Sequence, residues 1–144
     1  MEKENAMRFG PWTAVLAVVL SLAAVSARAE DCPAKTMQMD DIIVALNEAP
    51  SCDRAMEIFA ACEFGASGDV GLGAVVEKKC EGDFLSRLKA PQKRAYQDQL
   101  SRCIYKYRNQ SGTMYRSFSA FCRAEVSQRY SRRALKAAGP SKAR

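Results

Sequence analysis

The sequence predicts an all-α fold, a small disulfide-stapled bundle of about four to five short antiparallel helices. Three observations carry that expectation. Apolar residues recur at helical spacing along almost the whole chain. No stretch sustains the two-residue alternation of strands between hairpin turns. Six cysteines, Cys32, Cys52, Cys62, Cys80, Cys103 and Cys122, all follow the first thirty residues. An even number in a short chain argues for disulfides formed in an oxidising compartment.

The N-terminal segment stands apart. Met1–Pro11 is polar and holds Lys3 and Arg8, Trp12–Val25 is nearly all apolar, and Ala27-Arg28-Ala29 is a small-x-small cleavage sequence. This order predicts a bacterial secretory signal over residues 1–29. The apolar run is shorter than the roughly 20 residues of a membrane-spanning helix. Cys32 follows Ala29-Glu30-Asp31 rather than the small or apolar residues that precede a lipidated cysteine. Residues 30–138 are then expected to form a single helical domain without a transmembrane segment, and 139–144 a flexible basic tail.

Each helix has its own signature. Met39, Ile42, Ile43 and Leu46 form one stripe that ends near Asn47-Glu48-Ala49-Pro50. Ser51 or Asp53 suits the N-cap of a second helix carrying Ala55, Met56, Phe59 and Cys62. Gly65-Ala66-Ser67-Gly68 breaks it. Asp69 is placed to cap a third, in which Leu72, Val76, Cys80, Phe84 and Leu88 recur in steps of four. Gly71, Gly73 and Gly82 weaken that helix, and Gly82 is a candidate kink. Pro91 fits the first turn of a fourth, with Tyr96, Leu100, Cys103, Ile104 and Tyr107 on one face. Ser111-Gly112 reverses the chain, and Thr113 is the expected cap of a fifth. Met114, Phe118, Phe121, Cys122 and Val126 share one side of it and are expected to be buried, leaving Tyr115 and Arg116 off the stripe. Gly139-Pro140 ends it.

Six cysteines allow 15 pairings, and helical geometry narrows them. In an antiparallel helix pair, residues equidistant from the turn lie opposite each other. Cys103–Cys122 is centred near Gly112, Cys52–Cys80 on Ala66 and Cys32–Cys62 on Asn47, all in expected turns. Cys80–Cys103, centred near Pro91, fits equally well. Cys52–Cys62 is disfavoured, since ten helical residues rise about 15 Å and a disulfide needs α-carbons within about 7 Å. The expected set is Cys103–Cys122, Cys52–Cys80 and Cys32–Cys62.

Charge divides the chain. Residues 30–85 hold 12 acidic and 4 basic side chains, net −8, while residues 86–144 hold 2 acidic and 15 basic, net +13. One reading is a surface that steers a charged partner to one half. The other is that the halves face each other in one domain and partly cancel.

No catalytic constellation emerges. The chain has no histidine, which removes Cys/His metal sites, haem attachment through C-x-x-C-H and the usual general base. No C-x-x-C redox pair, phosphate-cradling glycine motif or EF-hand loop is present. Ser86-Arg87-Leu88-Lys89 has the S-x-x-K form but lacks its partner motifs. Asp40-Asp41 and Glu81-x-Asp83 are paired carboxylates, a pattern more typical of solvated or capping groups than of acid–base catalysis. Asn109-Gln110-Ser111 is a sequon in form only. The expectation is a non-enzymatic protein without cofactor or metal. Export makes nucleic acid a poor partner for its Tyr/Arg-rich half.

Gln92, Cys103, Ser111-Gly112-Thr113, Cys122, Ser127 and Arg129 occur at a spacing that resembles the lysozyme-inhibitor-like LprI-type family of bacterial envelope proteins. Cys52, Ala55 and Cys62 are similar to that family's N-terminal cysteine pair. The resemblance spans 51–135. Ala95-Tyr96 stands where the family has tryptophan, and Gln99-Leu100 replaces its Arg-Asp. It implies an extracytoplasmic, helical, disulfide-linked binding protein whose partner is a lysozyme-type hydrolase. Glu57, Glu63, Asp69, Glu77 and Glu81 then form the acidic surface offered to that partner, with Tyr115 and Arg116 as further contacts. The alternative is a protein whose basic half, including Arg123, Arg129, Arg132 and Arg133, binds anionic wall polymer or lipid head groups. Both readings place it in the periplasm or outside the cell.

Overall fold

Five α-helices follow one another in a computed structural model that describes residues 31–139, and no strand occurs among the described residues. The expected signal and all of the expected tail except Gly139 lie outside them. The helices are α1 (Met39–Glu48), α2 (Cys52–Ala61), α3 (Asp69–Glu81), α4 (Ala90–Tyr107) and α5 (Thr113–Ala138). No helix among the described residues is long and apolar enough to cross a membrane.

Local chemistry explains most of the boundaries. Ser51 Oγ accepts from the backbone N–H of Arg54 at 3.1 Å and caps α2. The C-terminal end of α1 is capped from outside the helix. Lys79 Nζ donates to the carbonyls of Asn47 at 3.0 Å and Ala49 at 2.6 Å, which satisfies acceptors that the helix leaves open. Pro91 sits in the first turn of α4, and Gln92 Oε1 accepts from the Lys89 N–H at 2.8 Å.

Three local expectations are corrected. α3 stops at Glu81, with Gly82 as its C-cap. Phe84 leaves the helical path (φ −143°, ψ −31°) and precedes a 3-10 turn over Leu85–Arg87. Phe84 and Leu88 therefore belong to a different apolar cluster from Leu72, Val76 and Cys80. Asp69 does not cap forward into α3. Its carboxylate reaches back to accept from Phe64 N–H at 2.8 Å and Ala66 N–H at 3.2 Å, closing the loop before the helix. Thr113 is the first residue of α5, and the N-cap is Gly112 at φ 112°. The reversal uses glycine's left-handed freedom rather than a hydroxyl cap.

Two apolar clusters share α5. The first joins Ile42 and Leu46 of α1, Ala55, Ile58 and Phe59 of α2, Leu72 and Val76 of α3, and Ala120 and Ala124 of α5. Phe59 stacks on Phe121 with ring centroids 4.1 Å apart. The second joins Phe84, Tyr96, Leu100, Cys103 and Val126, with Tyr130 packed against it. At 1.5 Å per residue α5 is about 39 Å long, enough to back both.

The buried face of α5 is not the predicted one. Met114 and Phe118 are 47% and 42% exposed, and Phe121 and Cys122 are only partly buried. Of the predicted stripe only Val126 is fully inside. The innermost positions are Ser117, Ala120, Ala124, Ser127 and Ser131, spaced 3, 4, 3 and 4. This small-residue seam lets α5 lie close against α3, the most extensive helix pair in the fold. A Cβ added to Gly73 would stand 3.1 Å from Ala120 Cβ and 3.2 Å from its carbonyl oxygen. On α4, Tyr96, Leu100 and Cys103 are buried as expected, while Ile104 is exposed and Tyr107 only partly covered. A purely apolar reading overshoots here because small side chains, not large ones, occupy the narrowest gap.

Three disulfides close the expected pairs, although Asn47, the centre of Cys32–Cys62, lies in the last turn of α1 rather than beyond it. They are Cys32–Cys62, Cys52–Cys80 and Cys103–Cys122, with α-carbons 4.8, 4.7 and 5.6 Å apart. The competing Cys80–Cys103 bond is not formed. The first ties the N-terminal segment to the end of α2, the second links α2 to α3 and the third links α4 to α5. Each restricts the unfolded chain, for a stabilisation of about 3 kcal/mol.

Two glycines of α3 separate propensity from packing. Gly73→Val should lower stability by about 1–3 kcal/mol in urea denaturation, because the seam has no room. A Cβ on Gly71 meets nothing within 4 Å, so Gly71→Ala should raise stability by about 0.5–1 kcal/mol.

Candidate functional site

The acidic and basic halves meet along α4 and α5, and three of the five acids proposed for a partner are spent there, Asp69 and Glu77 against α5 and Glu81 against α4. Asp69 is fully buried and accepts from Ser117 Oγ at 2.6 Å as well as from its own loop. A buried carboxylate is tolerated when several donors satisfy it. Glu77 receives both Nε and a terminal nitrogen of Arg123, at 3.0 and 2.7 Å. Glu81 accepts from the Tyr96 hydroxyl at 2.9 Å. Asp83 accepts from Ser131, and Asp53 from Gln128 and Arg132 at 2.7 Å each. The structure therefore withdraws Asp69 from any surface role and commits Glu77 and Glu81 to internal contacts. Of the five, Glu57 and Glu63 stay exposed, and Glu57 is paired with Arg54.

Two groups at these contacts are perturbed, Glu77 on α3 and Tyr96 on α4. Burial raises Glu77 above its ordinary carboxylate value, against the opposing pull of Arg123's charge and hydrogen bond and with a small addition from Glu81. Burial likewise raises the Tyr96 phenol well above its ordinary value. Its bond to Ser127 Oγ, 2.8 Å away, works in the opposite direction, and Glu81 adds to the rise. Around it Phe84, Tyr96 and Tyr130 pack with centroids 5.0–5.3 Å apart.

What these contacts leave over is basic. Arg102, Lys106, Arg108, Arg116, Arg129 and Arg133 are exposed on α4, α5 and the turn between them, while Arg132, also exposed, is paired with Asp53. A cavity of about 560 Å³ opens where α4 ends and α5 begins, lined by Ile104, Tyr107, Arg108, Gln110, Gly112, Thr113, Tyr115, Arg116 and Ser119. Tyr107, Tyr115 and Phe118 form an aromatic triangle with centroids 5.8–6.1 Å apart. The Arg108 guanidinium lies 5.1 Å from the Tyr105 ring. Among the described residues neither Arg108 nor Arg116 has a carboxylate partner. Unpaired guanidinium groups beside aromatic faces suit planar or phosphorylated anions.

The structure thus brings Tyr115 and Arg116 together in one site. Arg123 is turned inward to Glu77, while Arg129, Arg132 and Arg133 lie further along α5. Ile104, Tyr107 and Arg108 complete the site, and helical periodicity assigned the first two to the core. Ser86 and Lys89 of the S-x-x-K sequence are exposed around the 3-10 turn; Ser86 lines an open pocket of about 440 Å³ with Lys78, Glu81 and Lys93, and Lys89 is not among its walls. Asp40 and Asp41 lie in the first turn of α1, where carboxylates favour the helix dipole. Among the described residues no group of acidic or cysteine side chains is arranged to hold a metal ion. Searched against family models, curated proteins and solved structures, the chain has no match.

The alkaline limb of stability should report Tyr96. Its folded pKa lies above the ordinary value of 10.0, so above that pH the unfolded state loses a proton that the folded state keeps. Stability contributed by the neutral phenol is therefore complete below about pH 10 and declines as pH rises further. Tyr96→Phe should lower stability at pH 7 by about 1–3 kcal/mol through the lost hydrogen bonds. It should also make the decline above pH 10 shallower than in the wild type, as read by urea denaturation across pH.

Proposed function

We propose that the chain is a non-enzymatic binding protein of the bacterial cell envelope, exported by its N-terminal signal. Its basic face on α4 and α5 engages an anionic envelope component, either acidic wall polymer or lipid head groups. One observation carries the reading. At an open aromatic cavity, Arg108 and Arg116 have no carboxylate partner among the described residues, while Asp69 and Glu77 are engaged across the α3–α5 seam. The three disulfides fit an oxidising compartment, in keeping with export to the periplasm or beyond.

The family resemblance favours a second reading, in which the partner is a lysozyme-type hydrolase. Glu57 and Glu63 support it, as exposed carboxylates in the acidic half. The basic face carries more weight, because the other three acids of that set are turned inward and a basic hydrolase is repelled by exposed arginines.

The oxidised protein should co-sediment with phosphatidylglycerol vesicles or purified wall at low salt and be released steeply as salt rises. The double variant Arg108→Glu/Arg116→Glu should weaken that association at least about tenfold with an unchanged circular dichroism spectrum. Salt-insensitive or absent co-sedimentation, together with stoichiometric inhibition of lysozyme by the same preparation, would reverse the order of the two readings.

A further inference from the structure

A second cavity, of about 300 Å³, adjoins the basic one and differs from it in character. Its walls are Val70 and Ala74 of α3, Ile104 of α4 and Ala120 of α5. Val70 and Ile104 are 49% and 51% exposed, large apolar side chains left facing solvent at its rim. The floor is closed where Gly73 meets Ala120, since not even a Cβ fits between them without crowding. One flank holds the Glu77–Arg123 ion pair, whose charges answer each other and make no demand on a ligand. Ile104, Arg116 and Ser119 line both cavities. The two cavities therefore adjoin across these three residues and together make a trough, with an apolar slot, partly open to solvent, at one end and a basic, aromatic mouth at the other. Arg116 stands at their junction.

We propose that this trough is a binding site for a single-chain anionic amphiphile, a fatty carboxylate or a close analogue. The acid group pairs with Arg116 in the fork-to-fork geometry that guanidinium and carboxylate share, and Arg108 adds to the positive field. The alkyl chain runs into the slot and covers Val70 and Ile104. The volume is of the order that small-molecule sites use, with apolar walls and few charged groups to fix orientation. The inference rests on the basic-face reading above and adds the chain to it. A wall polymer has only charge to offer this site, whereas an amphiphile also has something to fill the slot.

Calorimetric titration of the oxidised full-length mature protein with octanoate, decanoate and dodecanoate, below their micelle concentrations, tests it. Kd should tighten about tenfold for each added pair of methylenes until the slot is full. Dodecyltrimethylammonium, with the same chain and opposite charge, should bind at least about tenfold more weakly. Ala74→Trp, at an exposed position of the slot wall, should abolish the chain-length dependence. Arg116→Gln should weaken every carboxylate by a similar factor and leave the dependence intact. Affinity independent of chain length, equal binding of the cationic amphiphile, or self-association that covers the trough without amphiphile uptake would each overturn the proposal. If salt-sensitive vesicle binding survives those outcomes, the basic-face reading stands without the chain. If vesicle binding is absent too, both fall.

Discussion

The close approach of α3 and α5 is the constraint on which the rest of the molecule depends. It is made by small residues, Gly73 against Ala120 with Ser117, Ala124, Ser127 and Ser131 along the same line. Polar pairs then fix the register: Ser117 to Asp69, Arg123 to Glu77 and Ser131 to Asp83. The first two acids lie on α3 and the third on the turn that follows it, so sliding α5 along by a turn would leave buried carboxylates and hydroxyls without partners, an expensive state. α1 and α2 pack on α3 and are tied back to it by Lys79 and the Cys52–Cys80 bond. α4 packs on the outer side of α5 and is held there by Cys103–Cys122 and the Tyr96–Ser127 contact.

The same seam shapes the surface. Acids contributed by α2, α3 and the turn after α3 face α5, so the lopsided charge of the sequence is partly neutralised inside the fold. The remainder is a basic exterior on α4 and α5, concentrated around an aromatic opening that the seam does not fill. Charge asymmetry thus has two destinations in one molecule. Part of it specifies how the helices dock, and part is left for recognition. The trough beside the seam follows from the same geometry, because small residues that bring two helices together leave a slot where the third helix diverges.

Helix existence was legible because caps and breakers coincide with changes in apolar phase: Ser51, Gly65 to Gly68, Pro91 and Gly112 all punctuate where the pattern indicates. Two of the disulfides were legible for a related reason, since Cys52–Cys80 and Cys103–Cys122 are centred on the breaks near Ala66 and Gly112, whereas Cys32–Cys62 is centred on Asn47, which lies in the last turn of α1. The burial pattern of α5 was not. Met114 and Phe118 look like core residues to any apolar count, whereas the true interior holds serines and alanines whose value depends on what faces them. Asp69 read as a cap and a surface acid, and its burial depends on Ser117, forty-eight positions away. Tyr115 and Arg116 were found as residues off the apolar stripe. Their neighbours Ile104, Tyr107 and Arg108 were not, because only the fold shows that the end of α4 opens away from the core. A spacing of 3, 4, 3, 4 in small residues was the signal available for the seam.

Native-state hydrogen exchange, followed residue by residue on the oxidised protein, tests the central role of the seam most directly. Backbone amides from Leu72 to Cys80 in α3 and from Ala120 to Ser131 in α5 should be the slowest to exchange. They should share one opening free energy equal to that of global unfolding. A slower-exchanging unit in α1–α2 or α4, or separate openings for α3 and α5, would contradict the account.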